Sequence, residues 1–221
     1  MALGKEKEGG NYITFKPSIG RLTIKSDQGD PEAKPRTYKD SKTNQDVTVY
    51  EQRYQYITGK VVGVEVDTTG EYGSQLKIVL RDGETDYTLP VPLNKSWGTK
   101  VAEAIPNVKL DEDVTITAYA DFVADGKDVQ AGLSLKQGGA RVTSHFNYKE
   151  NEAWVRAEGF PEYPQADTIP NKEKNPAKYT KFWGDYYFTV EEFLIDWFEK
   201  NMYIEYVAPV KAEVVTEEVP F

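Results

Sequence analysis

Residues 54–67 read YQYITGKVVGVEVD, a run rich in β-branched and aromatic side chains. This composition favours a β-strand. Glycine inside a strand permits a bulge and a sharp bend, and Gly59 and Gly63 both lie within the run. We therefore expect one long, strongly curved strand over residues 54–67.

Four more strands are predicted after this one. Apolar and polar residues alternate, as in half-buried strands, around residues 76–81, 87–93, 114–122 and 129–136. The turn pairs Asp82–Gly83 and Asp125–Gly126 separate the members of each successive pair. Pro90 and Pro92 suggest that the strand carrying them lies at an edge of the sheet, because proline cannot donate a ladder hydrogen bond.

A short helix is predicted between the third and fourth strands. Ser96 is a plausible N-cap, residues 101, 104 and 105 have helical spacing, and Pro106 ends the helix. The resulting β-β-β-α-β-β order predicts an OB-fold, a five-stranded Greek-key barrel, over residues 51–145. The fold class is therefore mainly β.

The regions on either side of this core differ from it in composition. Residues 12–15 and 21–24 resemble two short strands, residues 37–46 polar turns, and residues 46–50 β-structure again, so residues 1–50 are interpreted as an N-terminal arm and β extension. Residues 146–207 form an extension rich in aromatic residues and proline. A capping box at Thr189–Glu192 predicts a helix there over residues 189–203. Residues 208–221 are predicted to be an acidic, flexible tail.

Negative charge is concentrated in the C-terminal third of the chain. The net charge is −9, and residues 151–221 contribute −7 of it. This asymmetry suits a near-neutral binding domain that carries an acidic tail. The last residues are Glu217, Glu218, Val219, Pro220 and Phe221, so that two acids lead into a proline and a terminal phenylalanine.

The ending Glu217–Phe221 resembles the acidic tip of bacterial and phage single-stranded DNA-binding (SSB) proteins, whose tails typically finish with several acids and Ile-Pro-Phe. Val219 replaces the usual isoleucine here. In that family the phenylalanine enters an apolar pocket on a replication or repair enzyme, and basic residues hold the carboxylate and the acids. The resemblance implies that Glu217, Glu218, Val219, Pro220 and Phe221 bind replication or recombination proteins.

The chain departs from the usual bacterial form of this family. It lacks a long Gly/Gln/Pro-rich linker and carries the aromatic extension instead. In this respect it resembles the phage branch, where monomers and dimers are common. The resemblance therefore implies a monomer or homodimer rather than the usual tetramer.

The residue types that most catalysis requires are missing or isolated. The chain contains no cysteine, which excludes disulfides, thiolate catalysis and cysteine-ligated zinc. His145 is the one histidine, and the acidic run Asp111–Asp113 lacks EF-hand spacing. No P-loop or dinucleotide fingerprint is present. We therefore expect no enzymatic activity, no catalytic residue, no metal and no cofactor.

Targeting signals are also missing from the sequence. No run approaches the roughly 18 apolar residues that span a membrane. The opening MALGKEKEGG lacks the apolar centre of a signal peptide. A cytoplasmic protein without a membrane partner is expected, in the host cytoplasm if a phage encodes it.

Strand alternation identifies candidate residues for binding single-stranded DNA, which proteins hold with stacking aromatics and a basic groove. If Leu76, Ile78 and Leu80 face the core, the residues that alternate with them along the strand face outward. Applied to the predicted strands, this rule selects Tyr54, Tyr56, Lys60, Lys77, Arg81, Tyr119 and Lys136. Trp97, at the start of the short helix, is a further candidate. Cross-strand packing for the tyrosines, core packing for Trp97 and simple solvation for the cations are the alternatives.

These features predict a protein that coats and protects single-stranded DNA in replication, recombination and repair, and that recruits partner enzymes through its tip. The alternative is a phage virion or assembly protein with a β-barrel domain and no role with nucleic acid. Its support is the tyrosine-rich, acidic composition, with 15 Tyr in the chain.

Overall fold

A computed structural model describes residues 11–40, 42–70, 73–121, 130–150 and 153–208 of the chain. Its strands and helices are β1 (Asn11–Lys16), β2 (Arg21–Ser26), β3 (Lys34–Lys39), β4 (Asp46–Tyr54), β5 (Tyr56–Asp67), β6 (Gln75–Asp82), β7 (Thr85–Pro92), α1 (Ser96–Ala104), β8 (Val114–Asp121), β9 (Gln130–Gln137), β10 (Ala140–Arg141), β11 (Asn147–Glu150), β12 (Ala153–Arg156) and α2 (Pro176–Asn201). The predicted turn Asp125–Gly126, residues 1–10 and the predicted tip Glu217–Phe221 lie outside the described residues.

Ten of these strands form one sheet in the order β10-β9-β8-β5-β6-β7-β1-β2-β4-β3, and β11 pairs with β12 separately. Neighbouring strands run antiparallel, except that β1 and β7 are parallel. The prediction of a mainly β protein with one long C-terminal helix is confirmed.

The prediction of a closed five-stranded barrel is wrong. The five predicted strands do lie side by side, in the order β7-β6-β5-β8-β9, with α1 between the third and fourth in the chain. Among the described strands, however, β7 and β9 form no ladder, because β7 pairs with β1 on that side. The turn after β1 abuts β8, since a Cβ placed on Gly20 would lie 2.6 Å from the Ala120 Cβ. The N-terminal hairpin therefore stands between the two strands that would close the barrel.

The long strand β5 bends as its glycines predict. Its first residues, Tyr56–Gly59, pair with β8, and the remainder, Lys60–Asp67, pairs with β6. The register against β6 slips between Val61 and Gly63, which marks a β-bulge. One strand thereby belongs to both halves of the sheet.

Strand β7 is an edge over only part of its length. It pairs with β6 throughout, whereas its parallel contact with β1 is limited to Tyr87 and Thr88. Pro90 and Pro92 follow those two residues. The prolines thus occupy the portion of β7 that needs no donor on its second side.

Two elements differ from the sequence-based expectation. The helix α2 begins at Pro176 instead of residue 189, because the Asn175 side chain accepts a 3.0 Å hydrogen bond from the Lys178 amide and caps it there. Thr189 lies inside this helix and donates to the Asp185 carbonyl at 3.2 Å. Part of the segment interpreted as polar turns forms β3, which pairs with β4 along its whole length.

The core is one cluster that joins the sheet to both helices. Val190, Leu194 and Phe198 bury one face of α2 against it, and Val101 and Ile105 bury α1 and the turn that follows. Phe146 and Phe160, from the aromatic extension, are buried in the same cluster. In the ranges described above, no helix is long and apolar enough to cross a membrane.

Candidate nucleic-acid interface

A cleft of about 210 Å³ opens where β4 passes into β5. Three tyrosines line it, namely Tyr54 at the end of β4, Tyr56 at the start of β5, and Tyr87 on β7. The rest of the lining is mostly apolar and consists of Ile13, Leu22, Ile24, Ile57, Thr58 and Asp82. We call this the tyrosine cleft. Its walls come from six strands of the sheet.

Backbone contacts fix the positions of the two predicted tyrosines. Gln55, which lies between them, accepts a 2.8 Å hydrogen bond from the Ala118 amide, and its side chain donates to the Ala118 carbonyl. This clamp holds the junction of β4 and β5 against β8. Tyr54 then retains 37% and Tyr56 60% of its surface exposed. Both rings are therefore accessible from solvent.

The surroundings of Tyr54 favour its uncharged phenol. Burial raises the pKa of Tyr54, and the nearby Glu32 carboxylate and Tyr87 raise it further. The phenol is uncharged at neutral pH, as it is in a tyrosine with the ordinary pKa. The Tyr54 hydroxyl donates to the Gln52 side chain.

Lys60 and Arg81 lie opposite each other on β5 and β6. Lys60 is exposed, but Arg81 binds Asp86 through two hydrogen bonds of 2.8 and 2.9 Å and also donates to the Val207 carbonyl at 3.0 Å. The hydrogen bonds from Arg81 lower the pKa of Asp86; burial opposes this effect, and the hydrogen bond from Tyr206 adds to it. The charge of Arg81 is thus balanced within the protein.

Lys77 is also engaged. Its Nζ lies 2.9 Å from the Asp67 Oδ2. Hydrogen bonds from the Thr69 side chain, from Lys77 and from the Thr69 amide lower the pKa of Asp67 to about 2. The carboxylate therefore stays ionised through the physiological range and holds Lys77 against the sheet.

Residues 203–207, just after α2, cross the outer face of β5 and β6. The backbones of Ile204 and Val64 exchange two hydrogen bonds of 3.0 Å. Tyr206 packs so closely on the sheet that a Cβ on Gly63 would lie 2.9 Å from the Tyr206 Cβ, and its hydroxyl donates to Asp86 at 2.8 Å. Sequence reasoning missed this segment, although Gly63 marks the position where a second backbone comes close.

The other three predicted residues lie apart from the tyrosine cleft. Tyr119 lies opposite Gly132 and covers it, since a Cβ there would meet the tyrosine hydroxyl at 2.5 Å. Lys136 is exposed on β9. Trp97 is half-buried and packs edge-on against Phe15 at 4.9 Å between ring centroids, a position that agrees with the core-packing alternative.

The structure therefore divides the predicted set. It brings Tyr54 and Tyr56 together, with Lys60 exposed on the same strand as Tyr56. It places Lys77 and Arg81 in ion pairs on the part of the sheet that residues 203–207 cross. Tyr87, on the third strand, was missed because its alternation with Leu89 is that of a core residue.

Within the described ranges, no group of three or more His, Asp or Glu side chains is placed to hold a metal ion. His145 contacts the Asn107 side chain at 3.0 Å and packs against Phe146 and Trp197. Comparison of the chain with protein-family models, curated proteins and solved structures gives no match.

Proposed function

We propose that this protein binds single-stranded DNA and holds its bases in the tyrosine cleft. The observation that carries the proposal is the convergence of Tyr54, Tyr56 and Tyr87 on one open, mostly apolar cleft. Stacking of a base on an aromatic ring contributes roughly 1–3 kcal/mol and tolerates any sequence, because every base has a π-face. Such a site suits a protein that coats and protects single-stranded DNA in replication, recombination and repair, without a catalytic step.

The order of the central strands supports the same proposal. The series β7-β6-β5-β8-β9, with α1 between the third and fourth strands in the chain, is the strand order of an OB-fold that has been left open. OB-folds commonly bind oligonucleotides on the face and loops of these strands. We propose that the chain contains such a domain, extended by the N-terminal strands, and that it works in the cytoplasm.

We further propose that Glu217–Phe221 recruits replication or recombination enzymes. The acidity of residues 151–221 and the resemblance of the ending to the SSB tip support this role. Residues 203–207, which precede this acidic segment in the chain, contact β5 and β6.

The proposal predicts saturable binding of fluorescein-labelled oligo-dT in an anisotropy titration. Binding should be measurable at about 50 mM salt and should weaken as salt rises, because phosphate contacts release counterions. A duplex of the same length should bind more weakly, since its bases are not available for stacking. No binding of oligo-dT at that salt concentration would contradict the proposal and favour the virion or assembly protein.

A further inference from the structure

The strands β1–β4 present six basic side chains on the face of the sheet that points away from the core. In β1 and β2, Ile13, Phe15 and Leu22 are buried, so the residues that alternate with them point to the opposite side. The strand register then aligns the same face across all four strands, because residues paired directly across a ladder share a face. We call this surface the basic face, and its cations are Lys16, Arg21, Lys25, Lys34, Arg36 and Arg53.

The basic face carries a net charge opposite in sign to that of the whole chain. In the described strands β1–β4, Glu51 is the one carboxylate whose alternation places it on this face. Six cations and one carboxylate leave the face with a net charge of +5, in a chain whose net charge is −9. Neighbouring strands lie about 4.8 Å apart, so these charges are concentrated within roughly 15 Å across the sheet.

Glu51 acts as the anchor that orders part of this surface. It is only 3% exposed. The Arg36 Nε donates to its Oε2 at 3.1 Å, and the Arg53 Nε lies 3.5 Å from its Oε1. One buried carboxylate therefore positions two guanidinium groups side by side, while Lys25 and Lys34 lie across from it on the neighbouring strands.

The remaining cations are not neutralised by the single carboxylate. Burial first, then the positive charge of Arg36, lowers the pKa of Lys16; Glu51 partly opposes the effect and Lys25 adds to it. Like charges thus crowd this face at neutral pH. An anionic ligand would relieve their repulsion, and one with regularly spaced charges would relieve it across all four strands.

Aromatic rings accompany the charges. The Arg36 guanidinium lies 4.8 Å from the centroid of the Tyr38 ring, and Tyr38 is itself exposed at the outer strand of the sheet. Tyr12, on β1, is exposed on the same face. A basic surface interleaved with exposed rings is the arrangement that holds single-stranded nucleic acid.

We propose that the basic face is a second contact surface for single-stranded DNA, which binds the phosphates of the strand whose bases enter the tyrosine cleft. That the ligand is single-stranded DNA rests on the proposed function. The location of the contact rests on the register of β1–β4. Arg53 on the basic face and Tyr54 in the cleft are neighbours at the end of β4, and their side chains point to opposite sides of the sheet. A DNA strand that leaves the cleft reaches the cations by passing around the edge of the sheet, so that one strand contacts both of its sides.

The test uses the full chain with Arg21→Gln, Lys25→Gln and Lys34→Gln combined. All three residues are exposed and, unlike Arg36 and Arg53, do not anchor Glu51, so the fold should be kept. Each lost phosphate contact makes the slope of log K against log salt shallower by about 0.7 for a single strand. The triple variant should therefore show a slope shallower by about 2 and an affinity for oligo-dT about 50-fold lower at 0.15 M salt.

A matched variant with Lys174→Gln, Lys178→Gln and Lys200→Gln removes the same charge from exposed positions in and beside α2. It should bind oligo-dT within about threefold of the wild type, because distant surface charges are screened. Equal losses in both triple variants would overturn the inference. So would a loss seen with a DNA duplex or inorganic polyphosphate that matches the loss seen with oligo-dT.

The design separates the two proposals. If the wild type fails to bind oligo-dT, the proposed function fails, and the basic face loses its ligand with it. A different outcome would disprove only the second contact surface. In that outcome the wild type binds oligo-dT, the double variant Tyr54→Ala with Tyr56→Ala binds it more weakly, and the basic-face variant binds it as the wild type does. Should the triple variant lose its circular dichroism spectrum, Lys25→Gln and Lys34→Gln singly must each make the salt slope shallower by about 0.7; unchanged slopes would overturn the inference.

Discussion

Combined replacement of Tyr54 and Tyr56 by alanine should weaken oligo-dT binding about thirtyfold or more. The two rings line one cleft and are accessible to a base, with 37% and 60% of their surfaces exposed. Without these rings, at least one base on each side of the junction between β4 and β5 loses its stacking partner. The loss corresponds to roughly 2 kcal/mol of binding free energy in total. Anisotropy titration at fixed salt measures the change. The salt slope should stay near that of the wild type, because no cation is removed.

The matched control replaces Tyr148 and Tyr163, which are exposed tyrosines away from the cleft. This double variant also removes two tyrosine side chains and should bind oligo-dT as the wild type does. Circular dichroism should show the same β-rich spectrum for both variants. Equal affinities for the wild type and the cleft variant would remove Tyr54 and Tyr56 from the binding site.

Phe146→Ala should lower the free energy of unfolding by about 3–5 kcal/mol. The side chain is fully buried between the sheet and α2. Its ring stacks on Phe160 at 5.3 Å between centroids and meets Phe193 and Trp197 edge-on at 5.4 and 4.9 Å. Truncation therefore leaves a cavity where the aromatic extension meets the helix. Urea denaturation, with the midpoint and slope fitted together, measures the loss.

Phe188→Ala is the control for this substitution. Phe188 lies on α2 with 59% of its surface exposed, so its removal should change the unfolding free energy by less than about 1 kcal/mol. A small effect of Phe146→Ala, comparable to that of Phe188→Ala, would show that the extension does not pack on the sheet as described. Oligo-dT affinity of either folded variant should equal that of the wild type, since both positions are remote from the tyrosine cleft.

Local patterns in the sequence were sufficient to predict most of the strands. Alternation around Leu76 and Ile116 marks β6 and β8, and Gly59 and Gly63 mark the bend of β5, because these signals depend on residues close together in the chain. The parallel pairing of β1 with β7 joins residues 76 positions apart and has no local signature. That one pairing decides between a closed barrel and the observed ten-stranded sheet.

The start of α2 could have been predicted, and its signal was overlooked. Asn175 followed by Pro176 is a good N-cap with proline at the first helical position. The aromatic and proline-rich composition around it suggested an irregular segment, and the capping box at Thr189 offered a later start. The burial of Val190, Leu194 and Phe198 identifies the face of α2 that packs against the core. It does not determine the residue at which the helix begins.

The candidate site was only partly accessible to sequence reasoning. Alternation places Lys77 and Arg81 on the outer side of β6, but it cannot foresee that Asp67 and Asp86 bind them or that residues 203–207 cross that face. The basic face became visible only with the register of β1–β4, since its six cations come from four strands. In the composition of the whole chain, whose net charge is −9, these six positive charges are outweighed by the acidic residues.

Photocrosslinking tests most directly the claim that single-stranded DNA binds in the tyrosine cleft. Irradiation of the full chain bound to an oligo-dT that contains 5-iododeoxyuridine, followed by mass spectrometry of the peptides, identifies the residues that touch bases. We expect the crosslinks at Tyr54, Tyr56 or Tyr87, and their loss when unlabelled oligo-dT competes. Crosslinks confined to tyrosines outside the cleft, such as Tyr163 or Tyr179, from an oligonucleotide that binds with saturation would contradict the account.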